Sequence, residues 1–155
     1  MENIHPITVH FPIALLTAAF LVESLALILR RPEWSRVSLW CLGLGTLGAA
    51  VAVLSGRQAM AAAKHSFEIH PIMELHERIG YAVLIGAALL LAWRLAARGS
   101  MGPRPRWAAW VMLAVVCGTM AFGAHLGGRL VYEFGVGGSY GRSSGIEVAE
   151  PEHTH

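Results

Sequence analysis

Apolar residues run along this chain in four long blocks, roughly 10–29, 37–58, 72–97 and 107–126, separated by short stretches rich in charge or proline. Each block is near the ~20 residues that a helix needs to cross the hydrocarbon of a bilayer. An open sheet would leave unpaired backbone groups in lipid, whereas a helix satisfies its own, so the pattern predicts four transmembrane helices. Short connections set consecutive helices antiparallel. The expected fold is therefore all-α: an integral membrane four-helix bundle, up-down, made of two tandem helix hairpins over residues 1–138, with the first and third helices diagonal to one another. Beyond Tyr140 the chain becomes Gly/Ser-rich and then acidic, so 139–155 is expected to be a flexible periplasmic tail. The first block is not expected to be a secretory signal, because Met1-Glu2-Asn3 lacks a basic n-region and Arg30-Arg31 stands where a small-residue cleavage site would be.

The tandem reading rests on a repeated phrase, "IHPITVHFP" at Ile4–Pro12 and "IHPIMELHE" at Ile69–Glu77. A shift of 65 residues lays Ile4-His5-Pro6-Ile7 on Ile69-His70-Pro71-Ile72, with His10 falling one position short of His76. A looser echo sets Ser55-Gly56-Arg57 beside Gly127-Gly128-Arg129. Two hairpins related by a pseudo-twofold axis along the membrane normal would give this pattern; coincidence over four identities is the competing explanation. Proline is tolerated in a helix's first turn and pushes the preceding residue out of the helical region, so His5 and His70 are expected to be non-helical and interfacial.

Composition agrees with a membrane chain: 55% hydrophobic, 14% charged, mean hydropathy +0.52. The net charge of +2 hides an asymmetry. Arg30, Arg31 and Arg36 crowd one short connection, and Arg94, Arg98, Arg104 and Arg106 another, which predicts that these face the cytoplasm. All five tryptophans fall at those ends and all eight histidines at the others. The expected location is the bacterial inner membrane, multi-pass, with both termini outward. Basic residues in juxtamembrane turns, rather than along one face, give no reason to expect a nucleic-acid partner.

Several motifs dissolve on inspection. "GLGTLG" at Gly43–Gly48 has the letters of a dinucleotide fingerprint but lies mid-span, where glycines permit close helix approach. Gly123-Ala124-His125-Leu126-Gly127 is a similar small-residue run that encloses a histidine. Cys41 and Cys117 form no Cys-x-x-Cys pattern, which excludes covalent c-type haem attachment and favours core packing. Glu23 is the one acid deep inside a span, Glu74 and Glu77 lying in the first turns of the third block, and is either a functional carboxylate or a residue bonded to a neighbouring helix.

The histidines carry the candidate chemistry. His10 shares a helical face with Thr17 and Ser24, His76 with Gly80, Val83 and Ala87, and His125 with Gly118, Ala121 and Gly128. Singly, each reads as an interfacial residue; together, three histidines from three helices at one depth suggest cofactor or metal ligation.

The segments "HPITVHFPIALL" (His5–Leu16), "HERIGYAVL" (76–84) and "GAHLGGRLVYEFGVG" (Gly123–Gly137) resemble a bacterial family of small four-span membrane proteins catalogued as a domain of unknown function. The resemblance covers about residues 4–138, with His5, Pro6, His10, Pro12, His76, Gly127, Gly128, Leu130, Val131, Tyr132 and Gly135 at matching positions. Relatives fused to Rieske or cytochrome c modules imply a redox setting, and this chain would need such a partner. Members often carry aspartate where Glu23 stands.

These readings lead to an expected function: a b-type cytochrome-like electron-transfer subunit rather than a stand-alone enzyme, exchanging electrons with a redox partner protein or with quinol. His10 and His76 would supply the axial ligands of haem b, with His125 as substitute and Arg57, Arg78 and Arg129 pairing with the propionates. No histidine lies in the arginine-rich half of the bundle, so a complete transmembrane electron path is not expected. The alternative is a non-catalytic subunit that binds Zn or Cu through His10, His76 and His125, or an assembly partner with structural histidines.

Overall fold

The computed structural model describes residues 5–62, 69–97 and 102–134. The expected tail 139–155, Arg98 and the histidines His65, His153 and His155 lie outside the described residues. The helices are α1 (His5–Thr8), α2 (His10–Ile28), α3 (Trp34–Ala62), α4 (His70–Ala96) and α5 (Pro103–Tyr132). His5–Ile28, Trp34–Met60, His70–Ala96 and Pro103–Tyr132 are long and apolar enough to cross a membrane.

α1 runs almost straight into α2, since Val9 keeps helical angles and its N–H reaches the His5 carbonyl at 3.2 Å. The interruption has a cause in Pro12, which cannot donate to the Thr8 carbonyl and crowds it. His5 and His70, expected outside the helices, are instead the first residues of α1 and α4. Each sits where a helix begins, so the bias imposed by the following proline acts on a residue that the helix has barely enclosed.

α2 ends in a Schellman motif: the Arg31 N–H bonds the Ala26 carbonyl at 3.0 Å and the Arg30 N–H the Leu27 carbonyl at 3.3 Å. Arg30 takes the left-handed position at φ 54, which glycine more commonly fills. Around the bundle, α2 packs on α3 and α5, and α4 packs on the same two. α2 and α4 are therefore diagonal, as are α3 and α5, which is the expected up-down order.

The buried positions of the two hairpins fall in register at a shift of 71 residues rather than 65. Pro12, Leu16, Ala19 and Glu23 of α2 correspond to Val83, Ala87, Leu90 and Arg94 of α4, and all eight are buried. Ser38, Leu42, Gly45, Ala49, Ala52 and Ser55 of α3 correspond to Ala109, Leu113, Val116, Met120, Gly123 and Leu126 of α5, again all buried. The same shift carries His5 to His76. The repeated Ile-His-Pro-Ile phrase is out of phase with this register: His5 and His76 are half-buried and His70 is exposed.

Close approach within the first hairpin depends on glycine. A Cβ at Gly45 would lie 2.9 Å from Leu16 Cγ and Cδ2, and one at Gly48 would lie 3.2 Å from Pro12 Cδ. The dry centre consists of Leu16, Ala19, Leu42, Ala87, Leu90 and Leu113, each 0% exposed. Leu21, Leu44, Leu47, Leu54, Ile85, Leu89, Val115 and Phe122 point outward, as the surface of a lipid-solvated bundle requires.

Candidate functional site

Polar groups gather at the two ends of the bundle. At one end His5 and His76 meet, ring centres 6.3 Å apart and planes near perpendicular at 83°. His76 Nδ1 lies 3.0 Å from the Gly123 carbonyl of α5, and because a carbonyl can only accept, Nδ1 carries the proton and Nε2 the lone pair. His5 Nδ1 lies 3.0 Å from Ser55 Oγ of α3. Ser55 Oγ in turn lies 3.0 Å from the Ala52 carbonyl, to which it donates. Thr8 Oγ1 stands 2.9 Å from both the His5 carbonyl and Ser55 Oγ, so its single proton has two acceptors within reach.

Each ring leans on a glycine of the neighbouring helix. A Cβ at Gly56 would come within 2.9 Å of His5 Cε1, and one at Gly127 within 3.0 Å of His76 Cε1. Gly56 and Gly127 are themselves equivalent under the 71-residue shift, so the two histidines occupy matching sockets.

At the opposite end Glu23, 2% exposed, accepts from two arginines. Arg94 Nη2 reaches Oε2 at 3.0 Å and Arg106 Nε reaches Oε1 at 3.0 Å. Ser35 Oγ donates to Oε1 at 2.9 Å and accepts from Arg106 Nη2 at 2.8 Å. Arg94 also donates to Ser38 Oγ at 3.1 Å and to the Ser35 carbonyl at 3.0 Å. One residue or more from each of α2, α3, α4 and α5 is thereby bound into a single cluster. Beside it the Trp110 indole donates to Ser24 Oγ at 2.8 Å and stacks on Phe20.

The chain belongs to the family described as predicted membrane protein (DUF2231). That family's model matches residues 1–139. No curated protein and no solved structure matches this chain. Membership agrees with the four-span bundle and names no ligand.

The structure separates the residues singled out by sequence in this family member. His76 is part-buried against α5 and His5, whereas His10 is exposed, its Nδ1 donating to the Pro6 carbonyl at 2.7 Å. The inward pair is therefore His5 and His76, not His10 and His76. His10 is two residues before Pro12 of the buried stripe, about 200° around the helix, which points it away from the core.

His125 is exposed too. Gly123 and Gly127, which flank it, face α4 through Ile79 and His76, so the enclosed histidine has to face away. With Gly128, Arg129, Tyr132 and Glu133 it borders an open hollow of about 280 Å³.

Among the expected propionate partners, Arg78 pairs with Glu74 at 2.6 Å and Arg129 with Glu133 at 2.9 Å, and Arg57 is exposed. Hydrogen bonding from Arg129 holds the Glu133 carboxyl below its ordinary range. Among the described residues, no group of three or more His, Cys, Asp or Glu is placed to hold a metal ion.

Arg94, Arg106, Ser35 and Ser38 were not anticipated as partners of Glu23, nor His5 and Ser55 as partners in the histidine socket. The available signal was Glu23 itself. A carboxylate inside a span requires a partner, and arginines in the end turns of other helices can supply one.

Proposed function

We propose that this membrane protein holds a copper or zinc ion between the imidazoles of His5 and His76, and serves as a metal-handling accessory subunit. The observation that carries this reading is the meeting of the two rings, centres 6.3 Å apart, each with Nδ1 held 3.0 Å from an oxygen of the next helix. Metal-binding histidines are commonly oriented by such a bond, which fixes the tautomer and turns the other nitrogen to the metal. Imidazole suits both copper and zinc. Structural zinc sites are closed by four protein ligands, whereas two histidines leave positions open for water or for a donor on a partner. Such a site favours an ion that is passed on.

A haem between His10 and His76 is disfavoured by the outward direction of His10. A macrocycle between His5 and His76 is disfavoured by the glycine contacts that press both rings into the helix interface. The proposed orientation places the histidine end and both termini outside the bacterial inner membrane, with the Glu23 end in the cytoplasm. Its support is the crowding of arginines at that end, and reporter fusions at Ser35 and Ser100 that work only when exported would overturn it.

Metal content decides the chemistry. The chain, with His153 and His155 replaced by alanine to remove adventitious tail ligands, is purified in mild detergent and titrated separately with Cu(I) and Zn(II). One equivalent bound by this protein and by its His10→Ala and His125→Ala variants, and lost in His5→Ala and His76→Ala, is the expected result. Equal binding in all variants, or none in any, refutes the site. A Soret band that disappears with His10→Ala would restore the haem reading.

A further inference from the structure

We infer that the chain is a fused pair of hairpins that bury corresponding positions, and that the buried meeting of Glu23 with Arg94 and Arg106 makes each hairpin pair with the other rather than with a copy of itself. This inference is independent of any metal. The 71-residue shift superposes the buried positions of α2 and α3 on those of α4 and α5, so apolar patterning alone gives either hairpin a similar face to offer. Burial by itself discriminates weakly between right and wrong partners of that kind.

The Glu23 end breaks the equivalence. Glu23 and Arg94 occupy matching positions and meet each other across the diagonal at 3.0 Å. Ser35 and Arg106 also occupy matching positions, and they too are bonded, at 2.8 Å. Pairing two first hairpins would bring Glu23 against Glu23 in an apolar setting. Pairing two second hairpins would bring Arg94 against Arg94, with two Arg106 side chains nearby. Both arrangements bury like charges without a counterion, the repulsive element that specificity between similar partners requires. Steric complementarity acts in the same direction, since Leu16 corresponds to Ala87 and Ala19 to Leu90.

The histidine end shows what an equivalence without charge discrimination looks like. His5 and His76 stand at matching positions and meet as like residues, centres 6.3 Å apart. That pair would form equally well in a self-paired hairpin. Selection between partners therefore resides in the Glu23 cluster.

The test exchanges the key across the axis in the full chain. Glu23→Arg or Arg94→Glu alone should lower the thermal midpoint in detergent by roughly 10 °C or more, as expected for a buried pair turned repulsive. Combining Glu23→Arg, Arg94→Glu, Ser35→Arg, Arg106→Ser and Ala109→Ser rebuilds the cluster in mirror sense, and should recover at least half of that loss. As a second measurement, full-length Glu23→Arg and Arg94→Glu chains with different tags are produced together. By exchanging hairpins they can satisfy both clusters, and they should co-purify as a 1:1 complex that neither forms with the wild type. Recovery in either measurement supports the inference. It is overturned if single reversals are harmless, or if the exchanged chain is no more stable than they are and the reversed chains stay apart.

Discussion

Replacing Glu23 by glutamine tests how far one carboxylate holds the four spans together. Glutamine keeps the shape but removes the charge, and its amide N–H₂ meets guanidinium donors where Oε1 or Oε2 had accepted. Arg94 and Arg106 then remain with side chains 9% and 18% exposed and no anion. Removing one partner of a buried ion pair costs about 3–5 kcal/mol, because the other charge stays desolvated. Two arginines lose their partner here, which pushes the cost up. The partial exposure of Arg106 lets solvent or headgroups relieve some of it, so the lower half of that range, about 3–4 kcal/mol, is expected. Unfolding in mixed micelles, followed by tryptophan fluorescence, suits the measurement, since Trp110 reports on the adjoining Ser24. A companion variant with Glu23→Leu, Arg94→Met and Arg106→Met removes every charge and should lie within about 1 kcal/mol of wild type, as apolar replacement of whole buried networks often does. A Glu23→Gln cost below about 1 kcal/mol, or a triple variant less stable than Glu23→Gln, would refute the reasoning.

Gly56→Ala and Gly127→Ala each place a methyl within 3.0 Å of an imidazole Cε1, and each should cost about 1–3 kcal/mol while weakening metal binding, read by the same micelle unfolding and metal titration. Gly118→Ala meets nothing within 4 Å and should be neutral or slightly stabilising through helix propensity, which makes it the control. Arg30→Gly relieves the left-handed residue of the Schellman turn and should gain up to about 1 kcal/mol, the steric relief exceeding the added unfolded-state entropy. Ser24→Ala removes the acceptor of the Trp110 indole and should cost about 1 kcal/mol with a shift in tryptophan emission.

The four spans and their order were legible because each depends on a block of about 20 apolar residues and on short connections, both local properties of the chain. The inward faces were less so, because a lipid-facing residue is as apolar as a buried one and the usual amphipathic signal is absent. Buried charge supplies the phase that apolar residues do not. Counting back from Glu23 along the helix passes Ala19, Leu16 and Pro12, and five turns of 3.6 residues reach His5. The same count from Arg94 passes Leu90, Ala87 and Val83 and reaches His76. His10 is off that line, and a reading based on nearness to the start of the span could not show it. Arg94 and Arg106 escaped notice for a related reason: as cations near helix ends they were assigned to loops, although a long side chain in an end turn can reach inward as readily as outward.

The five turns between His5 and Glu23 also bear on function. They set the histidine pair and the ion cluster about 27 Å apart along the axis, close to the thickness of bilayer hydrocarbon, so the two clusters match the two interfaces. Between them Leu16, Ala19, Leu42, Ala87, Leu90 and Leu113 are wholly buried and carry no side-chain donor or acceptor. Charged or strongly hydrated species crossing that layer would lose their hydration without compensation from the side chains. Among the described residues the charged and histidine clusters therefore lie at the two ends, and the buried Thr46 between them gives its hydroxyl proton to the Leu42 carbonyl of its own helix. An ion bound by His5 and His76 would lie at one of these ends, and the Glu23 cluster would contribute to that chemistry by holding the hairpins in the register that brings the two histidines together.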